Sequence, residues 1–141
     1  MRQPQPIAPA SVFLLDSMGE LASVYSLASV AFVGGSLIPA GGHNPLEPAQ
    51  FAVPIVMGPY TENFRGMVAM LLQHEAIRVI SPERLASILR ELLESPETAQ
   101  MGVRARQVFE EHAGASERCL AAIVKILAEN AAPNLHRTGS R

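Results

Sequence analysis

Aromatic residues are scarce in this chain, and neither acidic nor basic residues are in large excess. Aromatics make up 5% of the 141 residues and tryptophan is absent, so a module that stacks nucleic-acid bases on rows of aromatic rings is disfavoured. Eleven basic residues face thirteen acidic ones, for a formal net charge of −2. Without a broad basic field, nucleic acid is not an expected partner. The chain is 48% apolar, and its core must be built from aliphatic side chains and methionine.

Cysteine and long apolar runs are also lacking. The single cysteine, Cys119, excludes an intrachain disulfide and a cysteine-rich zinc site, and its helix-like setting predicts a structural thiol. No uninterrupted apolar run approaches the ~18 residues of a membrane span. Residues 1–10 hold three prolines and one arginine and do not resemble a signal peptide. We therefore expect no membrane anchor in this chain.

Four short apolar runs alternate with longer amphipathic segments. The runs are Val12–Leu15, Val30–Val33, Pro54–Met57 and Ile77–Ile80, and their length is typical of strands buried on both faces. Residues 19–28, 44–52 and 63–74 show helical spacing of apolar residues. This alternation predicts an α/β fold, a Rossmann-like parallel sheet of about four strands with flanking helices.

The end of the chain is predicted to be helical. Ser81-Pro82-Glu83 and Ser95-Pro96-Glu97 each combine a serine cap, a proline and an acid, which is typical of a helix start. Ala113-Gly114 is interpreted as a break before a last helix over residues 115–130. We expect a loose lead-in over residues 1–10, one domain over 11–130 and a disordered tail over 131–141. Four strands are fewer than the roughly six of a doubly wound nucleotide-binding domain, so the domain is expected to be incomplete.

The loop after the second apolar run is the most informative candidate site, because ligands of open parallel sheets bind beyond the carboxyl ends of the strands. Gly41 and Gly42 allow close approach of the backbone. Asn44 is a good helix cap, so the helix behind the glycines would present free N–H groups to a phosphate. His43 fits a polar group beside that phosphate better than a metal ligand, because no second ligand stands at motif spacing.

Several residues of these loops have two interpretations. Asn44-x-x-Glu47 is either a capping box or places Glu47 on ribose hydroxyls. The same choice applies to Ser17-x-x-Glu20, where Glu20 would accept from a hydroxyl. Asn63, after the third apolar run, is a helix cap or a ligand group. From the residues alone, these alternatives stay open.

A second functional reading of the first loop concerns its backbone. Met18 and Gly19 lie directly after an apolar run and before a helical segment. Their main chain would therefore lie beside a base or a sugar at the carboxyl edge of the sheet.

These motifs together resemble a known family. The residues that carry the resemblance are Asp16–Leu21 (DSMGEL), Val30–Leu37 (VAFVGGSL), Gly41–Pro48 (GGHNPLEP), Val56–Pro59 (VMGP) and Asn63-Phe64. They look like the carboxyl-terminal half of 3-deoxy-D-manno-octulosonic acid (Kdo) transferases, and the resemblance covers about residues 12–127. The GGHNPLEP run after FVGGSL is the most specific part.

The resemblance implies a glycosyltransferase of the GT-B type, in which two Rossmann-like domains face each other across a cleft. Residues 11–130 would then be the nucleotide-sugar-binding domain, part of a GT-B carboxyl-terminal domain. The substrate would be CMP-Kdo, with no further cofactor and no metal, and the acceptor a lipid A precursor of lipopolysaccharide biosynthesis. The implied donor-binding residues are Ser17, Met18, Gly19, Glu20, Gly41, Gly42, His43, Asn44, Glu47 and Asn63.

The same resemblance implies what this chain does not supply. The family's acceptor domain and general base lie upstream of the matched region, so no catalytic residue is assigned here. An amino-terminal half chain is an implied partner, and the implied location is peripheral, on the cytoplasmic face of the inner membrane. Two alternatives remain: a non-catalytic fragment or nucleotide-binding module, and a GT-B enzyme that uses a UDP-sugar.

Overall fold

The computed structural model of the protein describes residues 12–131, apart from the side chains of residues 115–118, 130 and 131. The predicted lead-in over residues 1–10 lies outside these residues. So does the predicted tail, except for residue 131, which ends the last helix.

Three parallel strands form the sheet. They are β1 (Ala31–Val33), β2 (Ile55–Met57) and β3 (Ile77–Val79), in the order β1-β2-β3. Val56 is aligned with Phe32 on one side and with Arg78 on the other. All three β2 residues are fully buried, as expected for a central strand covered on both faces. The predicted Rossmann-like α/β fold is confirmed, with three strands rather than four.

Helices lie on both faces of this sheet. They are α1 (Leu21–Tyr25), α2 (Leu46–Ala49), α3 (Arg65–Gln73), α4 (Leu85–Glu94) and α5 (Thr98–Ala131). Ile55 and Met57 pack with residues of α2, α3 and α5 in one core cluster. Val56, on the opposite face, packs with Ile88, Leu92 and Met101 in the other. The alternation of side chains along β2 therefore divides the core into two layers.

The predicted strand Val12–Leu15 is wrong. These residues form no strand, and Val12, Phe13 and Leu14 are 96%, 70% and 89% exposed. A run of four apolar residues is long enough for a strand, but it carries no information about which strand, if any, lies beside it to pair with.

The predicted helix break at Ala113-Gly114 is also wrong, because both residues lie inside the continuous helix α5. A glycine inside a helix costs only about 1 kcal/mol relative to alanine, and the helix-forming residues around it outweigh that cost.

The two helix starts predicted at Ser81 and Ser95 are confirmed in position. Ser81 is extended and precedes Pro82 at the start of a 3₁₀ turn that leads into α4. The Ser95 hydroxyl accepts from the Glu97 N–H at 3.3 Å, one residue before α5.

Among residues 12–131, no helix is both long enough and apolar enough to cross a membrane.

Gly102 and Gly66 give a matched test of the packing. A Cβ at Gly102, in α5, would overlap the Ala52 carbonyl oxygen, whereas a Cβ at Gly66, in α3, would meet nothing within 4 Å. We expect Gly102→Ala to lower the free energy of unfolding by about 1–3 kcal/mol or more. Gly66→Ala should raise it by roughly 0.5–1 kcal/mol. Thermal melts followed by circular dichroism measure both, and equal stabilities would contradict the close approach of α5 to the chain before β2.

Candidate functional site

A buried serine joins the loops that leave β1 and β2. Ser36 is fully buried. Its hydroxyl donates to the Val33 carbonyl at 2.6 Å and accepts from the Gly58 N–H at 2.8 Å. Its own carbonyl accepts from the Tyr60 N–H at 3.0 Å. The carboxyl ends of the two strands are therefore held in one rigid edge.

Backbone hydrogen bonds within the loop after β1 constrain its glycines. Gly41 and Gly42 have φ of +81° and +75°, a conformation that favours glycine. The Gly42 N–H donates to the Gly35 carbonyl, and the His43 N–H to the Gly34 carbonyl, both at 3.0 Å. The structure therefore uses these two donors to close the loop on itself.

Asn63 fastens the same loop from the other side. Its side-chain amide donates to the Ala40 and Gly42 carbonyls at 3.2 and 3.4 Å, and its N–H donates to the Gly41 carbonyl at 3.1 Å. A Cβ at Gly41 would overlap this amide. Asn63 lies inside a short 3₁₀ turn, Glu62–Phe64, whose N-cap is Thr61, and the N-cap of α3 is Phe64, so the helix-cap alternative is wrong. Its direct role toward a ligand stays a prediction.

Asn44 and Glu47 have different roles at the start of α2. The Asn44 Oδ1 accepts from the Leu46 N–H at 3.0 Å, so Asn44 satisfies the first N–H of α2, although it lies one residue before the N-cap position, Pro45. The reciprocal capping-box bond, from the Asn44 N–H to the Glu47 carboxylate, is not formed within the described residues. Glu47 is exposed at the surface, and its carboxylate is therefore available to a ligand. With four residues, α2 has barely one turn of aligned peptide dipoles, so its field at a phosphate is weaker than expected.

The loop before α1 is more open. The Ser17 hydroxyl donates to the Glu20 carboxylate, and this bond between two side chains takes the place of the capping box that was one of the two alternatives there. The Glu20 carbonyl accepts from the Ser23 and Val24 N–H groups. Met18 is 99% exposed and Gly19 has φ of +89°. The loop therefore presents its side chains to solvent beside the rigid edge of the sheet.

Two clefts between α1 and α2 bring the candidate residues together. One, of 460 Å³, is lined by His43, Asn44 and Glu47, together with Gly34 and the aromatic residues Phe32 and Phe64. The other, of 430 Å³, is lined by Met18, Gly19, Gln50 and Phe51 among others. Glu47, Leu21 and Tyr25 line both. Of the ten predicted residues, those that line a cleft are Met18, Gly19, His43, Asn44 and Glu47, and those that line neither are Ser17, Glu20, Gly41, Gly42 and Asn63.

Tyr25 lines both clefts, whereas the apolar spacing of residues 19–28 indicates only that it lies in a helical segment. Its ring lies against Phe51, with centroids 6.3 Å apart and planes 26° apart. Burial raises the pKa of the Tyr25 phenol, and the negative charge of Glu47 raises it further. The sequence feature that points to Tyr25 is its position four residues after Leu21. This spacing indicates that the two residues share a helix face, but it does not show what that face contacts.

The clefts offer carboxylate, amide, imidazole and aromatic groups. The oxygen of the Asn44 amide is taken by Leu46, so Asn44 can offer a ligand its NH₂ group. The His43 ring lies beside Gly35, where an added Cβ would stand 3.2 Å from His43 Cδ2. No group of three acidic, histidine or cysteine side chains in the described part of the chain is arranged to hold a metal ion. The arrangement suits a ligand with hydroxyl donors, an anionic group and a flat apolar part.

The fold and the site together define a parallel α/β domain of the kind that binds nucleotides beyond the carboxyl ends of its strands. The chain is 37% identical to a Kdo transferase of Haemophilus influenzae over 128 residues, which are 89% of this chain. It is 36% identical to a Kdo transferase of Chlamydia trachomatis over 97 residues. A solved structure, the C-terminal CMP-Kdo binding domain of WaaA from Acinetobacter baumannii, is 40% identical with a TM-score of 0.62.

These comparisons confirm the resemblance to Kdo transferases over the part of those proteins that the chain spans. That part is 30% of the Haemophilus protein and 22% of the chlamydial protein. The Acinetobacter structure aligns with 67% of this chain and 50% of that one. No protein-family model matches the chain.

Replacing Asn63 by alanine tests how the glycine loop is held. The variant loses the two side-chain bonds to the Ala40 and Gly42 carbonyls. We expect the free energy of unfolding to fall by about 1–2 kcal/mol, at roughly 0.5–1.5 kcal/mol per bond. Amide hydrogen exchange should speed up at residues 41–43. Glu62→Ala, one position earlier and exposed, is the control, and equal exchange in both variants would contradict the fastening role of Asn63.

Proposed function

We propose that this chain binds CMP-Kdo and is the donor-binding part of a glycosyltransferase that transfers Kdo to a lipid A precursor in lipopolysaccharide biosynthesis. The observation that carries the proposal is the convergence of two loops on one carboxylate. Met18 and Gly19 from the loop before α1, and His43 and Asn44 from the glycine loop, line clefts that share Glu47. The same loops carry the motifs that resemble Kdo transferases.

Within the clefts, each group has a part of the donor that it suits. The Glu47 carboxylate accepts from the ribose hydroxyls, since a charged acceptor makes the stronger hydrogen bonds. The Asn44 NH₂ group and the His43 ring donate to the phosphate and to the sugar carboxylate. Met18 and Gly19 lie beside the base. Ser17, Glu20, Gly41, Gly42 and Asn63 act behind these contacts, by shaping the two loops.

The reaction is a displacement at the anomeric carbon of Kdo. An acceptor hydroxyl oxygen forms the new bond to this carbon while the bond to the phosphate oxygen breaks, and CMP leaves with the electron pair. The hydroxyl proton passes to a general base in an amino-terminal domain, which also holds the acceptor. Donors aimed at the departing phosphate stabilise the charge that develops there. The location proposed for the complete enzyme is peripheral, on the cytoplasmic face of the inner membrane.

Glu47→Ala tests the ribose contact. We expect CMP affinity, measured by calorimetry, to fall by about 1–3 kcal/mol, the range for a hydrogen bond to a charged group. Because Glu47 makes no capping bond within the described residues, the melting temperature should stay unchanged. The control is Glu62→Ala, whose side chain lines neither cleft. A loss of stability with unchanged CMP affinity would support a capping role instead.

The nucleotide preference tests the donor class. Thermal shift with CMP, UMP and UDP should show stabilisation by CMP above the other two, because a ligand that binds only the folded state stabilises it in proportion to its affinity. Stabilisation by UDP above CMP would instead support a glycosyltransferase that uses a UDP-sugar.

Transfer by the isolated chain tests the division of labour between two domains. The 141-residue chain, supplied with CMP-Kdo and a lipid A precursor, should form no Kdo-bearing product in an assay followed by mass spectrometry. The expected reason is that the acceptor site and the general base belong to the other domain. Product formed by this chain alone would overturn that division.

A further inference from the structure

Tyr25 occupies the wall between the two clefts. It lines the cleft of His43 and Asn44 and also that of Met18 and Gly19. Two other residues line both clefts, Leu21 and Glu47. Leu21 offers a ligand only aliphatic surface, so the polar groups at the junction are the Glu47 carboxylate and the Tyr25 phenol. A ligand that extends through both clefts passes these two groups.

The Tyr25 ring is held in place from the side of α2. It packs against Phe51 at a centroid distance of 6.3 Å, and aromatic pairs at this distance are favourable beyond the area they bury. Tyr25 is half-buried rather than enclosed. The ring is therefore anchored on one side while the residue still lines the clefts.

We propose that Tyr25 is a donor-site residue: its ring separates the base compartment from the phosphate compartment, and its hydroxyl donates a hydrogen bond to the nucleoside between them. This inference rests on the proposed function and adds to it a residue outside the ten implied by the resemblance. Glu47 accepts from a ribose hydroxyl, and Tyr25 donates to an oxygen of the same nucleoside. The two neighbouring groups thus supply one acceptor and one donor.

The protonation state of Tyr25 suits this role. Burial and the charge of Glu47 both hold the pKa of the phenol above its ordinary value of 10.0, so the hydroxyl keeps its proton at neutral pH. The titratable residues that line the same clefts are Glu47, from α2, and His43, from the glycine loop. Removing the charge of Glu47 should move the Tyr25 pKa back down.

The two tyrosines of the chain, Tyr25 and Tyr60, allow a matched experiment. Tyr25→Phe keeps the ring and removes the hydroxyl, and we expect CMP affinity by calorimetry to fall about three- to tenfold, the effect of one neutral hydrogen bond. Tyr60→Phe makes the same change at a residue that lines neither cleft and should bind CMP as the unaltered chain does. The melting temperature of both variants should stay close to that of the unaltered chain.

A spectroscopic measurement separates contact from a purely structural role. In Tyr60→Phe, Tyr25 is the sole tyrosine, and tyrosinate absorbance in an alkaline titration reports on it alone. Saturating CMP should raise the pH at which Tyr25 ionises, because the bound nucleotide holds the proton of the hydroxyl and adds negative charge. Adding Glu47→Gln to this variant should lower that pH in the absence of CMP.

The outcomes distinguish this inference from the function on which it rests. Unchanged CMP affinity in Tyr25→Phe, or an unchanged titration when CMP is bound, would overturn the role of Tyr25 and leave the proposed function standing. Failure of the unaltered chain to bind CMP at millimolar concentration would overturn both. Should Tyr25→Phe fold poorly, the titration in Tyr60→Phe still decides the question, because it leaves Tyr25 in place.

Discussion

The hydroxyl of Ser36 is the interaction on which the arrangement of this edge of the sheet depends. It is fully buried and satisfied on both sides, by the Val33 carbonyl and the Gly58 N–H. A buried hydroxyl without partners would be costly, so the two strand ends that satisfy it are fixed relative to each other. Gly58 is required at its end of this link, because a Cβ there would overlap the Ser36 carbonyl oxygen. The loops after β1 and β2 are built on this link.

A second level of constraint closes the glycine loop above it. Gly41 and Gly42 adopt positive φ, and the loop is bonded to Gly34 and Gly35 on one side and to Asn63 on the other. The N–H groups of Gly42 and His43 are used within the loop, and the side chains of His43, Asn44 and Glu47 are the groups that line the cleft beside it. A loop of this kind is preorganised, and binding costs less when the groups are already ordered.

The clefts owe their shape to the packing of α1 against α2. Tyr25 lies on Phe51, and this contact places the five-residue helix α1 beside Glu47. The loop of Met18 and Gly19 is thereby brought to the same carboxylate as the loop of His43 and Asn44. One side of the site is thus rigid, built on the sheet. The other side is a short helix whose residues are mostly exposed and whose position depends on an aromatic contact.

The sequence by itself determined the class of fold and the segments that carry the site. Runs such as Val30–Val33 and Pro54–Met57, separated by helical periodicity, were sufficient for a parallel sheet, because burial on both faces leaves a continuous apolar signature. The glycines before Asn44 were sufficient to indicate a specialised loop. These patterns are local, and each can be recognised in a segment of about ten residues.

Only the tertiary structure decided which neighbours these segments acquire. The run Val12–Leu15 has the apolar pattern of a buried strand, yet it pairs with none of the three strands, because pairing depends on which segments lie beside it in space. Asn63 was interpreted as a helix cap or a ligand group. It is not a cap, and its side-chain amide holds a loop through bonds at sequence separations of 23 and 21, while a contact to a ligand stays a prediction. The capping-box bond of Glu47 is absent within the described residues, and only the packing of α1 beside α2 brings Glu47 and Tyr25 to the same two clefts. Long-range contacts of this kind leave no local pattern, because the residues that make them are brought together only when the chain folds.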